Sequence, residues 1–418
     1  IRRLPPSGTP LMTLLPVEDA LARLLAGVQP ITVTETVSLH DGNGRVLADE
    51  LTARMTQPPF DASAMDGYAL RAADAAMPGA VLKVIGQSAA GHAYDGVVGS
   101  GQAVRIFTGA PVPAGADSVV LQEDIEILDE GQIRSSVAVV KGRHIRPRGQ
   151  DFSEGDVALT AGTRLGFRQL TLAAAMNHPS LPVYRRPRVA ILATGDELVA
   201  PGGQPGESQI IGSNTFGIAA LARDNGAEVI DLGIAGDTAK SILAAVQRAR
   251  ESDADVLVTL GGASVGDHDL VQPTLISAGM KLDFWRIAMR PGKPLMVGRL
   301  DEMHVLGLPG NPVSSLVCGL LFLEPLLTRL GRLPELGRMT TAFLANGMPA
   351  NDKRQDYVRA RLTRTETGDL QAESFGKQDS SMMRIFSQSD CLIVRPPQAA
   401  AAEPGERVKV LLLAPAQS

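Results

Sequence analysis

The sequence predicts a multidomain protein that combines a parallel α/β domain with β domains and a split α+β domain. Three observations predict this fold class. Strands and helices alternate over residues 186–331, which is typical of a parallel sheet covered on both faces. Short strands and turns dominate residues 53–152 and 332–418. The 43 glycines and 28 prolines of the 418-residue chain fit so many turns.

The first predicted domain is split between two stretches of the chain. Apolar residues recur at helical spacing over 16–27, and mixed character returns over 153–184 with a predicted helix at Phe167–Met176. We therefore expect residues 1–52 and 153–184 to form one domain, with 53–152 as an inserted β domain. Strands predicted in the insertion are Val81–Ile85, Ala103–Phe107 and Ser118–Gln122.

The α/β domain is expected over residues 185–331, followed by a small β domain over 332–418. The predicted strands of the α/β domain are Arg188–Ala193, Glu228–Ile234, Asp255–Leu260, Leu282–Ile287, Leu295–Val297 and His304–Leu308. Its predicted helices are Asn214–Asn225, Thr238–Glu251, His268–Ala278 and Pro312–Leu330.

Charge and cysteine content limit the possible functions. A net charge of −5 argues against non-specific nucleic-acid binding, which requires a basic face. Cys318 and Cys391 are the only cysteines, so neither a disulfide framework nor a zinc-ligand spacing is present. Cys318 is expected to be a small core residue. No signal peptide or membrane-spanning segment is predicted, and we expect a cytoplasmic protein.

A glycine-rich loop follows the predicted strand Asp255–Leu260. It reads Gly261-Gly262-Ala-Ser264-Val-Gly266-Asp267-His268-Asp269. Ligands of open α/β sheets bind beyond the carboxyl ends of strands, where glycines let backbone N–H groups approach a phosphate. Ser264 can donate to an oxyanion, and Asp267 and Asp269 could hold a divalent cation. A glycine-rich turn with Asp267 capping a helix explains the same residues.

Two more predicted strands end in polar loops. Gly310-Asn311-Pro312-Val313-Ser314 precedes a long helix, with Asn311 suited to the N-cap and Pro312 to the first turn. This motif is either only a helix start or also an anion site. The loop Thr194-Gly195-Asp196-Glu197-Leu198 carries adjacent carboxylates, which either bind Mg²⁺ or a ligand N–H or form a plain polar loop.

A cationic loop stands out from the acidic chain. Arg286, Arg290 and Lys293 lie within eight residues, and Pro291 and Pro294 restrict the backbone between and after them. Arginine makes bidentate contacts to anions and lysine contributes a point charge. The loop is either an anion-binding segment or a solvated charged turn.

Seven sequence blocks occur in one order along the chain. They are SAMDGYA (63–69), TGAPVP (108–113), RPRGQD (146–151), TGDEL (194–198), GGASVGDHD (261–269), MRPGKP (289–294) and GLPGNPVS (307–314). Each block alone is weak, but the ordered set is specific and resembles the MoeA/gephyrin E-domain family over nearly the whole chain. The resemblance implies a homodimer of four-domain subunits. The split domain would serve as linker and dimerisation domain, and residues 185–331 would form a MogA-like molybdopterin-binding domain.

The resemblance also implies functional residues. Matching catalytic positions are Asp66, Asp151, Glu197, Asp237 and Asp269, with Glu197 and Asp269 as Mg²⁺ ligands. Expected substrate-binding residues are Thr108, Arg148, Thr194, Gly261, Gly262, Ser264, Arg286, Arg290, Lys293, Gly310, Asn311, Pro312, Ser314 and Ser381. Arg286 and Arg290 stand where some family members have lysine, and Ser381 matches a serine-rich segment more loosely.

The implied reaction is that of a molybdopterin molybdenumtransferase. Adenylylated molybdopterin and molybdate would give molybdenum cofactor and AMP, with Mg²⁺ polarising the phosphate–phosphate link. Asp66 and Arg148 would close the other wall of the cleft across a dimer interface. Expected partners are the molybdopterin adenylyltransferase and the molybdenum enzymes or their chaperones, with no nucleic acid and no membrane.

Alternative functions are a non-catalytic gephyrin-like scaffold and the adenylyltransferase itself. The adenylyltransferase fold matches only residues 186–331 and leaves about 270 residues unexplained. A nicotinamide-nucleotide amidase with a related fold is a third alternative, whose hallmarks the sequence lacks.

Overall fold

The computed structural model describes residues 14–262 and 270–414. Two compact units divide the chain. One comprises the described residues up to Val33 and from Tyr184 onward, and begins with helix α1 (Val17–Leu25); the other is Thr34–Val183. The finer limits predicted above, with boundaries at 52/53, 152/153, 184/185 and 331/332, stay predictions.

The unit Thr34–Val183 is built around one six-stranded sheet, in the order β7-β4-β6-β5-β9-β8. The strands of the unit are β1 (Thr34–Ser38), β2 (Leu51–Thr52), β3 (Ala62–Ser63), β4 (Gly67–Leu70), β5 (Val81–Ser88), β6 (Gln102–Ile106), β7 (Ser118–Leu121), β8 (Ile125–Ile127), β9 (Gln132–Ser135), β10 (Ile145–Arg146), β11 (Val157–Leu159) and β12 (Ser180–Tyr184). Short 3₁₀ turns occupy Leu39–Asp41, Ala72–Ala75, Gln122–Asp124 and Asp129–Gly131. The three strands predicted in the insertion are confirmed as β5, β6 and β7.

Residues before and after the insertion share a second core in this unit. Strand β1 pairs with β12, and β2 pairs with β11. Helix α2 (Phe167–Ala175) confirms the predicted helix and packs Ala173 into this core. Leu47 from the first stretch joins Leu165 and Leu181 from the second. The two sequence stretches are thus held together by strand pairing and by a common apolar cluster.

The other unit contains the α/β sheet, in the order β16-β13-β17-β21-β20-β18. The strands are β13 (Arg188–Thr194), β14 (Leu198–Val199), β15 (Ile210–Ile211), β16 (Glu228–Ala235), β17 (Val256–Leu260), β18 (Lys281–Trp285), β19 (Met289–Arg290), β20 (Met296–Leu300) and β21 (Met303–Leu308). The helices are α3 (Asn214–Asp224), α4 (Ala239–Glu251), α5 (Val271–Ser277), α6 (Pro312–Cys318) and α7 (Glu324–Leu330), with a π-helical turn at Gly319–Leu323.

The prediction of a parallel sheet is confirmed except at one strand, β20, which runs opposite to the other five. Strands β16, β13, β17 and β21 are parallel, whereas β20 runs antiparallel to both β21 and β18. Two residues, Asp301 and Glu302, connect β20 to β21. A parallel crossover needs a dozen or more residues, so this connection permits only a hairpin.

The long helix predicted at Pro312–Leu330 forms the centre of the apolar core. It is the one helix among the described residues that is long and apolar enough to cross a membrane, yet 78% of it is buried inside the protein. Cys318 is fully buried there, which confirms its predicted core position, and burial raises the pKa of its thiol. Cys391 is also buried, and burial raises its pKa to about 12.

The chain ends in a β barrel-like sheet, which confirms the predicted β character of this segment. Its strands are β22 (Met339–Leu344), β23 (Gln355–Arg364), β24 (Leu370–Ser374), β25 (Cys391–Arg395) and β26 (Arg407–Leu412), with the short helix α8 (Met383–Ser387). The order is β19-β23-β24-β22-β26-β25, and an additional pairing of β23 with β25 closes the sheet.

A buried histidine on β21 makes stability depend on pH. Burial, and then the nearby Arg299, lower the pKa of His304 to about 4, and Arg299 donates to the neutral ring at 2.6 Å. The pKa of His304 is lower in the folded state than in the unfolded state. Its contribution to the free energy of unfolding is therefore fully present above about pH 6.5 and is lost as the pH falls towards 4. We expect a loss of about 2–3 kcal/mol over that interval. Urea unfolding of wild type and His304→Gln across this range should show a shallower decline in the variant; equal slopes would contradict the assignment.

Candidate active site

A cavity of about 570 Å³ lies at the carboxyl ends of three parallel strands. Strands β13, β17 and β21 end at Thr194, Leu260 and Leu308, and parallel pairing brings these ends to one edge of the sheet. Among the predicted site residues, Thr194, Glu197, Gly261, Gly310, Asn311, Pro312, Ser314 and Ser381 line this cavity. Ligands of open α/β sheets bind at this edge.

The turn after β13 presents Glu197 to the cavity. Gly195 has φ +145°, a backbone conformation that residues with a side chain rarely adopt, so the turn favours glycine. The N–H of Gly195 donates to the carbonyl of Ala235 at 3.1 Å, which ties the turn to the end of β16. Glu197 is exposed, and it is the one charged side chain among the described residues that line the cavity.

Asp237 supports this turn from the neighbouring strand end. Its backbone N–H donates to the Asp196 carboxylate at 3.0 Å, and the N–H of Asp196 donates to the Asp237 carboxylate at 3.3 Å. These reciprocal bonds join the loop after β13 to the loop after β16. Asp237 is not among the lining residues, so it acts on the cavity through the Glu197 turn.

Gly261, the first residue of the glycine-rich loop, lines the cavity. Gly261 has φ +96°, and a Cβ there would lie 2.7 Å from the Thr194 carbonyl oxygen. Only glycine permits this close approach of two strand ends. Gly262 is half-buried beside it. Ser264, Gly266, Asp267, His268 and Asp269 lie outside the described residues.

The start of the long helix connects the cavity to the C-terminal segment. Asn311 occupies the N-cap position, but its side chain makes no capping hydrogen bond, and its amide nitrogen donates to Ser380 Oγ at 3.0 Å. The N–H of Val313 donates to the carbonyl of Ser380 at 3.1 Å. The Asn214 side chain donates to the Gly310 carbonyl at 2.6 Å. The motif is therefore more than a helix start, since it also holds the loop around Ser380 in the C-terminal segment.

Ser381 belongs to that anchored loop, and a buried arginine holds the loop in place. Arg359 donates to the carbonyl of Asp379 at 2.8 Å and to Gln378 Oε1 at 3.1 Å. Hydrogen bonds from the Ser381 hydroxyl and N–H hold the pKa of Asp379 below its usual range. Sequence reasoning missed Asn214, Arg359, Gln378 and Asp379. Only contacts between distant segments reveal them, and no local pattern marks them.

The cationic loop does not converge on the cavity. Arg286 stacks on Trp285 at 4.4 Å, and Lys293 is exposed. Arg290 is engaged by Asp356, which raises the pKa of its guanidinium, and it lines a different cavity. Pro294 is the one residue of this loop that lines the first cavity. The clustering of charge in the sequence therefore did not predict where the side chains point.

The unit Thr34–Val183 carries a second group of predicted residues. Thr108 donates to the Asp66 carboxylate through its N–H at 2.7 Å and its hydroxyl at 2.8 Å. These bonds, with a smaller contribution from Arg105, hold the pKa of Asp66 below its usual range. Asp66 is thus fixed as an exposed, ionised carboxylate.

Asp151 lines a cavity of about 490 Å³ in the same unit. Gln57, Pro58, Phe60 and Arg146 are among its other lining residues. Arg148 lies beside this loop, where its Nε donates to the carbonyl of Pro59 at 3.1 Å and its N–H to Asp61 at 2.8 Å. The loop around 58–60 therefore meets the loops around 109 and 146–151, which belong to the TGAPVP and RPRGQD blocks.

A metal at the first cavity would rely on few protein ligands. No group of three or more His, Cys, Asp or Glu side chains in 14–262 and 270–414 could hold a metal ion. Mg²⁺ characteristically takes one or two carboxylates together with substrate phosphates and water. Glu197 fits that use, because the described lining contains no cation that would otherwise neutralise a phosphate.

Family models match three consecutive stretches of the chain. The MoeA N-terminal region (domain I and II) matches residues 15–177, and the MoeA C-terminal region (domain IV) matches residues 341–413. Between them, a probable molybdopterin binding domain matches residues 190–329, which is the segment that carries the α/β sheet.

Curated relatives and solved structures agree with these matches. A molybdopterin molybdenumtransferase of Haemophilus influenzae is 34% identical over 403 residues, covering 95% of this chain and 98% of the relative. Another, from Bacillus subtilis, is 34% identical over 411 residues, covering 96% and 94%. The crystal structure of a molybdopterin biosynthesis MoeA protein from Pyrococcus horikosii superposes with a TM-score of 0.79 at 31% identity, covering 96% of this chain and 99% of that one.

Proposed function

Because the chain belongs to the MoeA family, we propose that it is a molybdopterin molybdenumtransferase, which converts adenylylated molybdopterin and molybdate into molybdenum cofactor and AMP. The observation that carries the proposal is the cavity at the sheet edge. Three of the blocks shared with the family, around Thr194, Gly261 and Gly310, meet there although they are far apart in sequence.

The cavity residues support binding of a phosphate. Gly310, Asn311 and Pro312 form the start of a long helix, and the helix dipole favours negative charge at this end. Ser314 and Ser381 supply hydroxyl groups from two segments of the chain, and the close approach of Gly261 to Thr194 keeps side chains out of the space. These residues would hold and orient the phosphate of the substrate.

We also propose that Mg²⁺ takes part in the reaction, with Glu197 and Asp269 as its protein ligands. When bound, the ion would polarise the phosphate–phosphate link that is cleaved when AMP leaves. Asp237 contributes by bracing the turn that carries Glu197. We further propose that Arg286 and Lys293 attract the anionic substrates, that Gly262 and Ser264 bind phosphate, and that Asp66, Thr108, Arg148 and Asp151 serve the same reaction.

The adenylyltransferase alternative explains less of the chain. The relatives that cover more than nine-tenths of this chain are molybdenumtransferases. We also propose that the protein is cytoplasmic. It would receive its substrate from a molybdopterin adenylyltransferase and pass its product to molybdenum enzymes or their chaperones. No observation on the described residues favours a scaffold, and an assay of AMP release separates that alternative from catalysis.

Filling the cavity should block substrate binding. Thr215 lines the cavity from the first turn of α3, so Thr215→Trp would occupy part of its volume. We expect the variant to bind adenylylated molybdopterin at least tenfold more weakly by isothermal titration calorimetry, about 1.4 kcal/mol. Arg223→Trp, on the exposed last turn of the same helix, is the matched control and should bind as wild type does. Equal affinity of all three proteins would place the substrate elsewhere.

A homodimer is expected in solution. Analytical ultracentrifugation at micromolar concentration should give twice the 43.9 kDa mass of the chain. A mixture of inactive Glu197→Gln and inactive Asp66→Asn chains extends the test. If residues of two copies complete one site, mixed dimers regain part of the activity. A monomer at this concentration contradicts the proposed assembly.

A further inference from the structure

Three Asn-Gly pairs occur in the sequence, beginning at Asn43, Asn225 and Asn346. In such a pair the backbone nitrogen of the glycine can attack the side-chain amide carbon of the asparagine and displace ammonia, because glycine has no side chain to obstruct the approach. The reaction needs a glycine N–H that is free and an asparagine side chain that can turn towards it. The fold decides which of the three pairs meets both conditions.

The pair at Asn225 is protected by burial and by hydrogen bonds on both residues. Asn225 is 2% exposed, and its side chain donates to the carbonyl of Leu221 at 2.9 Å. The N–H of Gly226 donates to the carbonyl of Arg223 at 2.9 Å. Neither the amide carbon nor the nitrogen that would attack it is therefore free to move.

The pair at Asn43 is protected through its glycine alone. Asn43 is exposed, but the N–H of Gly44 donates to the carbonyl of Leu165 at 2.8 Å. A hydrogen-bonded N–H holds its proton more firmly and points towards its acceptor instead of the amide carbon. The glycine nitrogen becomes a nucleophile only when this contact opens.

The pair at Asn346 has neither protection. Asn346 and Gly347 are both exposed, in the bend that follows β22. The N–H groups of Ala345 and Met348, on either side, are hydrogen-bonded, whereas the N–H of Gly347 donates to no acceptor among the described residues. The Asn346 amide makes one long contact, to Glu373 Oε1 at 3.5 Å, which is at the limit of a hydrogen bond.

We propose that Asn346 is a site of spontaneous deamidation in the folded protein. The nitrogen of Gly347 bonds to the side-chain amide carbon of Asn346, the C–N bond of the amide breaks, and the proton of the glycine nitrogen leaves with the NH₂ group as ammonia. Water then opens the resulting cyclic imide at one of its two carbonyls, which gives aspartate or isoaspartate. Water is the only co-reactant, and the reaction does not depend on the proposed function.

Either product places a carboxylate beside Glu373. An amide that donates to Glu373 is replaced by a group that only accepts, so a weak attraction becomes a repulsion between like charges. Isoaspartate also adds a methylene to the backbone between β22 and the bridge that Met348 forms with Ala402. The modified chain therefore carries an additional negative charge at this corner of the C-terminal sheet.

Peptide mapping of the folded full chain by mass spectrometry tests this assignment. During incubation at mildly alkaline pH in water labelled with heavy oxygen, the peptide that contains Asn346 should exchange NH₂ for OH and take up labelled oxygen. We expect this conversion to be about tenfold or more faster than at Asn43 or Asn225, whose glycines must first break a hydrogen bond by local opening. In guanidinium chloride, which removes the fold, the three pairs should react at similar rates.

Asn346→Gln isolates the site, because the longer side chain would have to close a larger and less favourable ring. Circular dichroism should show a folded variant, and isoelectric focusing should show that it no longer forms the acidic species of wild type. Asn43→Gln, at the other exposed pair, is the matched control and should form that species at the wild-type rate.

Three results would each overturn the inference. The first is folded wild type that converts Asn43 or Asn225 as fast as Asn346. The second is an Asn346 that stays intact in the folded protein while the denatured chain reacts. The third is a folded Asn346→Gln variant that accumulates the acidic species as fast as wild type.

Discussion

We expect Glu197→Gln to lower the rate of AMP release by about 10²-fold or more while the protein stays folded. Glu197 is the one charged side chain in the described lining of the first cavity, and the amide would bind Mg²⁺ poorly. The residue is exposed in a turn, so its replacement should change the free energy of unfolding by no more than about 0.5 kcal/mol.

The matched control for Glu197→Gln is Glu207→Gln. Glu207 is exposed in the loop that leads to β15 and does not line the cavity. Steady-state rates should be measured over a range of Mg²⁺ concentrations, with circular dichroism to verify the fold. If a folded Glu197→Gln releases AMP as fast as the control variant, the carboxylate has no part in the reaction.

Arg338→Met should lower the free energy of unfolding by about 3–5 kcal/mol, the cost of leaving a buried charge without its partner. Arg338 and Glu324 are both less than a tenth exposed, and they are joined by two hydrogen bonds of 2.5 and 2.7 Å. Arg338 also donates to the carbonyl of Leu413 at 2.7 Å. The pair therefore links the long core helix to the last strand of the C-terminal sheet.

Denaturant unfolding of a small set of variants tests the role of this pair. Arg329→Met removes an exposed arginine from the same helix and should change stability by about 0.5 kcal/mol or less. Replacing both partners, with Glu324→Leu added to Arg338→Met, should recover much of the loss, because no unpaired charge remains. A loss below about 1 kcal/mol for Arg338→Met would show that solvent reaches the pair.

The sequence predicted the elements well because each has its own local signal. Helical periodicity and caps located α2, α3 and α4 to within a residue or two at each end. The wrong part was the direction of β20, although the six residues between the predicted strands Leu295–Val297 and His304–Leu308 were already too few for a parallel crossover. The short connection was therefore visible in the sequence, but the prediction of a parallel sheet, which was based on strand–helix alternation, did not use it.

The candidate site was less predictable, because long-range contacts decide where its side chains lie. The strand-end motifs were found because parallel strands bring their ends together. The direction of Arg290 was not predictable, since Asp356, its partner, lies 66 positions further along the chain. The same holds for the Asn311–Ser380 contact, which spans 69 positions and brings Ser381 to the cavity.

The central claim is most directly tested by a single-turnover measurement. Purified protein is incubated with adenylylated molybdopterin and Mg²⁺, with and without molybdate, and AMP is quantified over time. We expect that molybdate triggers stoichiometric AMP release and that molybdenum is then bound to the pterin. Absence of AMP release by folded protein, or release that proceeds equally without molybdate and leaves no molybdenum on the pterin, would contradict it.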